Sequence, residues 1–306
     1  MESSLESDLT YRLLVLDLDG TVMGDDQRIR PAVREAVRRA QAAGVAVTLA
    51  TGRGFDAALS YARQLGITMP LICYQGGLIK SPLDGTVLHE ETFSQALARE
   101  LIGWVAARQE QPFRLSSEAH QVPEIPGGFL FQVGRIELAL FLHGVMYLEG
   151  LQQEGDFYYR YFGQRVQLVA DLAAALHTRP SKAMLIAHPA TGDEILPQLK
   201  AAFAGRLQIV RSHPLFVEAT PPGVSKGRGV ARLAAHLGIA QAATIAVGDN
   251  ENDLSMVQWA GLGVAMGNAT PEVKAAADWI APSVAEDGVV AVIERFILDE
   301  HGDHSC

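Results

Sequence analysis

The sequence predicts an α/β fold in which a doubly wound parallel sheet is interrupted by a second, α+β domain. Three observations carry this. Apolar runs alternate with amphipathic ones at both ends of the chain, and the texture changes to aromatic-rich hairpin segments between about residues 84 and 220. The 306 residues also exceed what one core accommodates. In chain order, RLLVLD from Arg12 reads as a strand, and a helix from Pro31 to Ala43 stops at Gly44. VAVTLAT is the next strand, and a helix from Phe55 to Leu65 stops at Gly66. Short unbroken apolar runs are strands buried on both faces, as in parallel sheets. Pro31 opens a helix and the glycines close helices, the expected asymmetry. The rhythm returns with a helix over Gly229–His236 before Gly238, the strand ATIAVGD, and a helix over Glu251–Ala260. Between these halves, LALFL and VMYLE flank His143-Gly144, and LQIVR and LFVEA are joined by Ser212-His213-Pro214. Ser116–Gly128 has no period and reads as a loop. The division is a Rossmann-like core over 1–83 and 221–306, with an insert over 84–220.

Composition excludes several functions. Hydrophobic residues make up 48% and charged residues 20%, which suits a folded chain. With 35 acidic against 25 basic residues the net charge is −10, which opposes attraction to nucleic acid or anionic membranes. Cys73 and Cys306 are too few and too far apart for a disulfide framework or a cysteine zinc site. That usage fits a reducing, cytoplasmic location. MESSLESDLT is acidic and polar and reads as a frayed tail, not an export signal. Phe129–Leu148 is broken by Arg135, Glu137 and His143, so it reads as strands and turns instead of a membrane span. No GxxxxGK[ST] is present, and GLGVAMG lacks the dinucleotide-loop spacing.

The apolar runs end in chemistry-bearing residues: Asp17, Thr51 and Asp249. The carboxyl ends of strands in an open α/β sheet share one edge, where ligands bind. Asp17 and Asp19 are separated by one residue. Two carboxylates about 4 Å apart repel by roughly 4 kcal/mol at an effective dielectric near 20, so they call for a cation, a shared proton or full solvation. Asp249 and Asp253 add further oxygen ligands with no sulfur or imidazole, which favours Mg²⁺. Lys226 in GVSKG, at a helix start, and Thr51 and Arg53 in ATGR supply positive charge and donors for a phosphate. Singly, each has an ordinary reading: a strand-end Asp caps a helix, Lys226 is a solvated surface lysine, Thr51-Gly52 is a turn. Their combination in this order is more specific than its parts.

That order resembles the four motifs of the haloacid dehalogenase superfamily of phosphotransferases: DLDGTV at 17–22, Thr51 of LATGR, Lys226 of GVSKG, and GDNENDLSM at 248–256. MGNA at 266–269 and EDGVV at 286–290 resemble the Cof-like subgroup, whose large α/β cap lies between the second and third motifs. The resemblance implies that the insert is a substrate-specificity cap that closes over the site. Further, it implies that Asp17 is the nucleophile, forming an aspartyl-phosphate, and Asp19 the general acid and base. Mg²⁺ would be held by Asp17, the Asp19 backbone carbonyl and Asp249, with Asp253 either a further ligand or an orienter. Thr51, Gly52, Arg53, Lys226 and Asn252 would form the phosphate-binding set, and Gly20 would let the backbone turn toward it.

The implied activity is a Mg²⁺-dependent phosphatase acting on a small phosphorylated metabolite, a sugar phosphate or a phosphorylated cofactor. Two alternatives stay open at this stage: a phosphomutase on a sugar phosphate, and a non-catalytic ligand-binding or regulatory module. One departure from the family pattern stands out, Tyr74-Gln75-Gly76-Gly77 where Asn-Gly is frequent. The aromatic run Phe157–Phe162 offers candidate substrate contacts, although such a stripe is more often cap core; His188 and His213 read as turn or surface groups, and the tail HGDHSC as no metal site.

Overall fold

The structure is a computed structural model that describes residues 10–109, 133–150, 158 and 166–299. The terminal tails, the loop expected over 116–128 and most of the aromatic run at 157–162 lie outside the described residues. The chain divides into two compact units, His89 closing the first segment of one unit and Ser225 opening its second, with Glu90–Val224 forming the other.

The first unit is built on β1 (Leu13–Leu16), β2 (Ala46–Leu49), β12 (Thr244–Gly248), β13 (Leu262–Ala265) and β14 (Trp279–Ile280). All pair in parallel, in the order β14-β13-β12-β1-β2. Register sets Leu16 opposite both Val247 and Leu49, so the strand ends carrying Asp17, Gly248 and Ala50 lie side by side. Every residue of β1 is buried, as expected of a strand covered on both faces.

The helices follow their sequence signals. In α1 (Pro31–Ala42), Pro31 takes the first helical turn and Val33, Ala36, Val37 and Ala40 form the buried stripe. The next helix, α2 (Phe55–Gln64), closes at Leu65 ahead of Gly66. The predicted helix at 229 begins three residues earlier. Ser225 caps it by accepting from the Arg228 N–H, and it ends at Gly238, which takes the left-handed conformation. Val230 and Leu233 from this helix pack with Leu13, Val15, Ala50, Ile72, Ala246 and Met256 in the core. Beside β2, β3 (Leu71–Cys73) continues the parallel edge through an Ala50–Ile72 bridge and then turns back as β4 (Leu78–Lys80) and β5 (Val87–Glu90).

The second unit is a six-stranded, mainly antiparallel sheet with helices on it. Its strands are β6 (Ile136–Leu142), β7 (Val145–Leu148), β8 (Val166–Leu168), β9 (Lys182–Ala187), β10 (Gln208–His213) and β11 (Phe216–Thr220). They run in the order β10-β11-β9-β6-β7-β8. One face packs Leu138, Leu140, Leu185 and Val217 against the helices at Gln95–Gln109 and Pro189–Ala202. The hairpin expected at Ser212-His213-Pro214 turns one residue later. His213 belongs to β10, pairs with Phe216 and stacks on its ring, and the shift is absorbed by a bulge between Arg211 and His213. His188 is buried, not a surface group: its ring accepts from the Ala190 N–H at the start of the following helix. Tyr158 is buried with its hydroxyl on Glu137. Among the described residues no helix is long and apolar enough to cross a membrane.

Candidate active site

The parallel strand ends bring four sequence segments together. Asp17 follows β1 and is anchored by its own N–H on the Val247 carbonyl. Asp249 follows β12, and Asp253 sits one turn later at the end of a short 3₁₀ turn over Glu251–Asp253. Oxygens of Asp17, Asp249 and Asp253 all lie within 4.8 Å of one another. Lys226, the first residue of the helix Lys226–Leu237, places its Nζ against Asp17 Oδ1 and 2.5 Å from Asp253 Oδ1. It is 1% exposed, which corrects the reading of a lone solvated lysine.

Glycines make this approach geometrically feasible. At Gly227 a Cβ would lie 2.2 Å from the Ser255 carbonyl oxygen, so only glycine lets the helix carrying Lys226 reach the Asp253 turn. Gly20, with φ +87°, would set a Cβ 2.3 Å from Asp249 Oδ2, so the 17–21 loop closes directly on that carboxylate.

Electrostatics then dictate the chemistry. Two carboxylates within 4.8 Å repel by about 3 kcal/mol at an effective dielectric of 20. Three of them against one ammonium leave an excess negative charge in a buried place. Burial, with the Asp253 charge second, pushes the Asp17 carboxyl well above its ordinary range, Lys226 only partly offsetting this. The same two causes push Asp249 up to about 7. Burial works against the Lys226 charge, but Asp17 and Asp253 outweigh it and hold the ammonium protonated. Asp253 is the better satisfied carboxylate: Oδ1 takes Lys226 and Oδ2 accepts the N–H groups of Asp249 and Asn250 at 2.9 and 3.0 Å. A divalent cation with oxygen preference is the group this trio fits, since hard carboxylate oxygens gather there without sulfur or imidazole.

The remaining expected residues surround this trio. Thr51 is buried, and its hydroxyl oxygen accepts the Arg53 N–H at 3.1 Å. Asp19 stands apart from the trio, its carboxylate half exposed and held by both Arg53 Nε and Nη2, at 2.8 and 2.6 Å. The Arg53 guanidinium is thus engaged by Asp19. Asn252, expected in the phosphate set, donates its Nδ2 to Gln75 Oε1 at 3.1 Å. Sequence reasoning missed Thr21, whose hydroxyl donates to Asp249 Oδ1, and Asn268, whose Nδ2 donates to the Gly20 carbonyl. For Asn268 the signal was present in MGNA, without a role attached.

The sequence profile of the haloacid dehalogenase-like hydrolases matches residues 14–293. The chain belongs to that family. This Cof-like hydrolase is 28% identical over 300 residues to the phosphatase YwpJ of Bacillus subtilis, covering 94% of this chain and 100% of that one. With YcsE of the same organism, a 5-amino-6-(5-phospho-D-ribitylamino)uracil phosphatase, it shares 26% over 295 residues, covering 95% and 98%. A haloacid dehalogenase-like hydrolase from Bacteroides thetaiotaomicron superposes with a TM-score of 0.77 at 26% identity, covering 93% and 99%. The hydrolase is accordingly an enzyme, a phosphoric monoester hydrolase whose parallel-sheet core carries a cap. The binding-only alternative is set aside.

Proposed function

We propose that this hydrolase is a Mg²⁺-dependent phosphatase of a small phosphorylated metabolite, a sugar phosphate or a phosphorylated cofactor, working through an aspartyl-phosphate on Asp17. The observation that carries it is the Asp17–Asp249–Asp253 trio, with Asp17 and Asp253 buried and Asp249 half-buried, and Lys226 inserted between Asp17 and Asp253. With divalent charge in place of the proton that burial favours, the Asp17 carboxylate is a nucleophile, and a buried lysine at a helix start is an anion clamp.

In the proposed reaction an Asp17 carboxylate oxygen attacks phosphorus and the ester P–O bond breaks, its electron pair leaving on the alcohol oxygen. Asp19 delivers the proton that this oxygen needs. Water then attacks phosphorus, giving its proton back to Asp19, and the bond to Asp17 breaks to release inorganic phosphate. Thr51, Gly52 and Lys226 hold the non-bridging oxygens as charge spreads over them. Arg53 orients Asp19 at rest and offers a further phosphate contact. Asp17, Asp249 and the Asp19 carbonyl would hold Mg²⁺, with Asp253 fixing Lys226 and the 249–250 backbone. The cation would supply charge neutralisation on the phosphoryl group. The unit Glu90–Val224 is proposed as the substrate-reading cap.

A panel of phosphorylated metabolites assayed for phosphate release with Mg²⁺ and with a chelator tests the reading. Release from sugar phosphates or phosphorylated cofactors that stops on chelation is the expected result. Isomerised sugar phosphate without release, or turnover indifferent to the chelator, would overturn it.

A further inference from the structure

The turn Tyr74-Gln75-Gly76-Gly77, which the proposed reaction does not use, touches three of the four motif segments. The Gln75 N–H donates to the Thr51 carbonyl and the Tyr74 N–H to the Arg53 carbonyl, both at 3.1 Å. Gly76 lies against the Ser225 carbonyl, where a Cβ would come within 2.1 Å, immediately before Lys226. Gln75 Oε1 accepts from Asn252 Nδ2, in the loop that carries Asp249 and Asp253.

The turn holds an unfavourable backbone to do this. Tyr74 and Gln75 have φ of 50° and 60°, and Gly76 has 97°. A non-glycine residue in that region costs about 1–3 kcal/mol and persists only where its surroundings impose it. Asparagine tolerates the left-handed region better than glutamine does. A residue less suited to the backbone, buried to 3% exposure, is accounted for by its longer reach, which spans to Asn252.

We propose that Gln75 is a positioning residue of the phosphatase reaction. Its side chain fixes Asn252, and with it the 249–253 turn, at a set distance from the Thr51 loop. Asn252 then acts as a strut and not as a phosphate contact. The inference rests on the phosphatase reading of the site, but its test does not need turnover to be read.

The test compares wild type with Gln75→Gly, Asn252→Ala and the double variant in two measurements: a Mg²⁺ titration followed by thermal shift, and kcat/KM on p-nitrophenyl phosphate. Gln75→Gly relieves the backbone but loses the buried hydrogen bond and widens the unfolded ensemble, so its Tm without metal should stay within a few degrees of wild type. It should nevertheless bind Mg²⁺ several-fold more weakly and lose about tenfold in kcat/KM, the size of one lost neutral hydrogen bond. Asn252→Ala should match it, and the double variant should lose no more than the larger single effect. Should Gln75→Gly fail to fold, Gln75→Asn suits the turn but falls one methylene short, and it should show the same losses. Wild-type Mg²⁺ affinity and turnover in the Gln75 variants, or losses that multiply in the double variant, would overturn the proposal. Absence of wild-type turnover on every ester would count against the phosphatase reading, while the Mg²⁺ titration would still decide the role of Gln75.

Discussion

Without a bound divalent cation the protein's stability should fall as pH rises, and the share contributed by Asp249 can be worked out. Its carboxyl is pushed from an ordinary 3.8 up to about 7 by burial and by Asp253. Below about pH 4 folded and unfolded chains both hold this proton. Between about pH 4 and 7 the unfolded chain has released it while the folded chain keeps it, so each step upward in pH costs folded stability. The span from 3.8 to about 7, at about 1.4 kcal/mol per pH unit, amounts to about 4 kcal/mol. For a folding unit of about 150–250 residues this lowers Tm by roughly 10 °C. Asp17, also held above its ordinary range, adds in the same direction. Lys226, Asp253 and the Thr21 hydroxyl face the same carboxylate, and their opposing effects are already contained in that value. A divalent cation takes the place of the proton, so Mg²⁺ should stabilise far more at pH 7.5 than at pH 5. The assay is a thermal-unfolding series in chelator and in Mg²⁺ across this range, for wild type and Asp249→Asn. Identical pH dependence in the two proteins, or equal Mg²⁺ stabilisation at both ends of the range, would refute the charge argument.

Three further outcomes follow from the same geometry. Lys226→Met leaves the buried carboxylates without their cation and should cost about 3–5 kcal/mol in urea unfolding, with activity abolished. Gly227→Ala forces a methyl against the Ser255 carbonyl and should cost about 1–3 kcal/mol while lowering turnover, since the helix bearing Lys226 must back away. Asp19→Asn should slow formation of the aspartyl-phosphate from an alkyl phosphate by about 10²–10⁴ but spare its formation from p-nitrophenyl phosphate, whose leaving group needs no proton, while hydrolysis of the shared intermediate slows alike for both. Equal losses on both esters in the formation step, read in a single-turnover burst, would remove Asp19 from the acid role.

Much of this was legible in the sequence because its strongest signals are local. Buried parallel strands read as unbroken apolar runs, as LLVL does, and Pro31, Gly44, Gly66 and Gly238 punctuate the helices where the backbone needs them. The strand-end rule then gathers Asp17, Thr51 and Asp249 on one edge without knowledge of pairing. What the pattern missed depends on contacts distant in sequence. The burial of Lys226 is set by Gly227 packing on Ser255, a tertiary fact that no propensity encodes. Asp19 carries the same letter as Asp17, and strand alternation would set the two on one face, but β1 ends at Leu16 and the chain turns over 18–23, which leaves the Asp19 carboxylate on Arg53. Gln75 looked like a departure from pattern. Its use emerges only when Asn252 is seen at the other end of the hydrogen bond.

The most direct measurement is to quench the enzyme in acid during turnover of a phosphate ester, reduce with borohydride and map the peptides. Conversion of Asp17 to homoserine, absent in Asp17→Asn, which should also be inactive, is the expected result. Steady phosphate release with Asp17 never modified, or a folded Asp17→Asn protein that still turns over, would contradict the account.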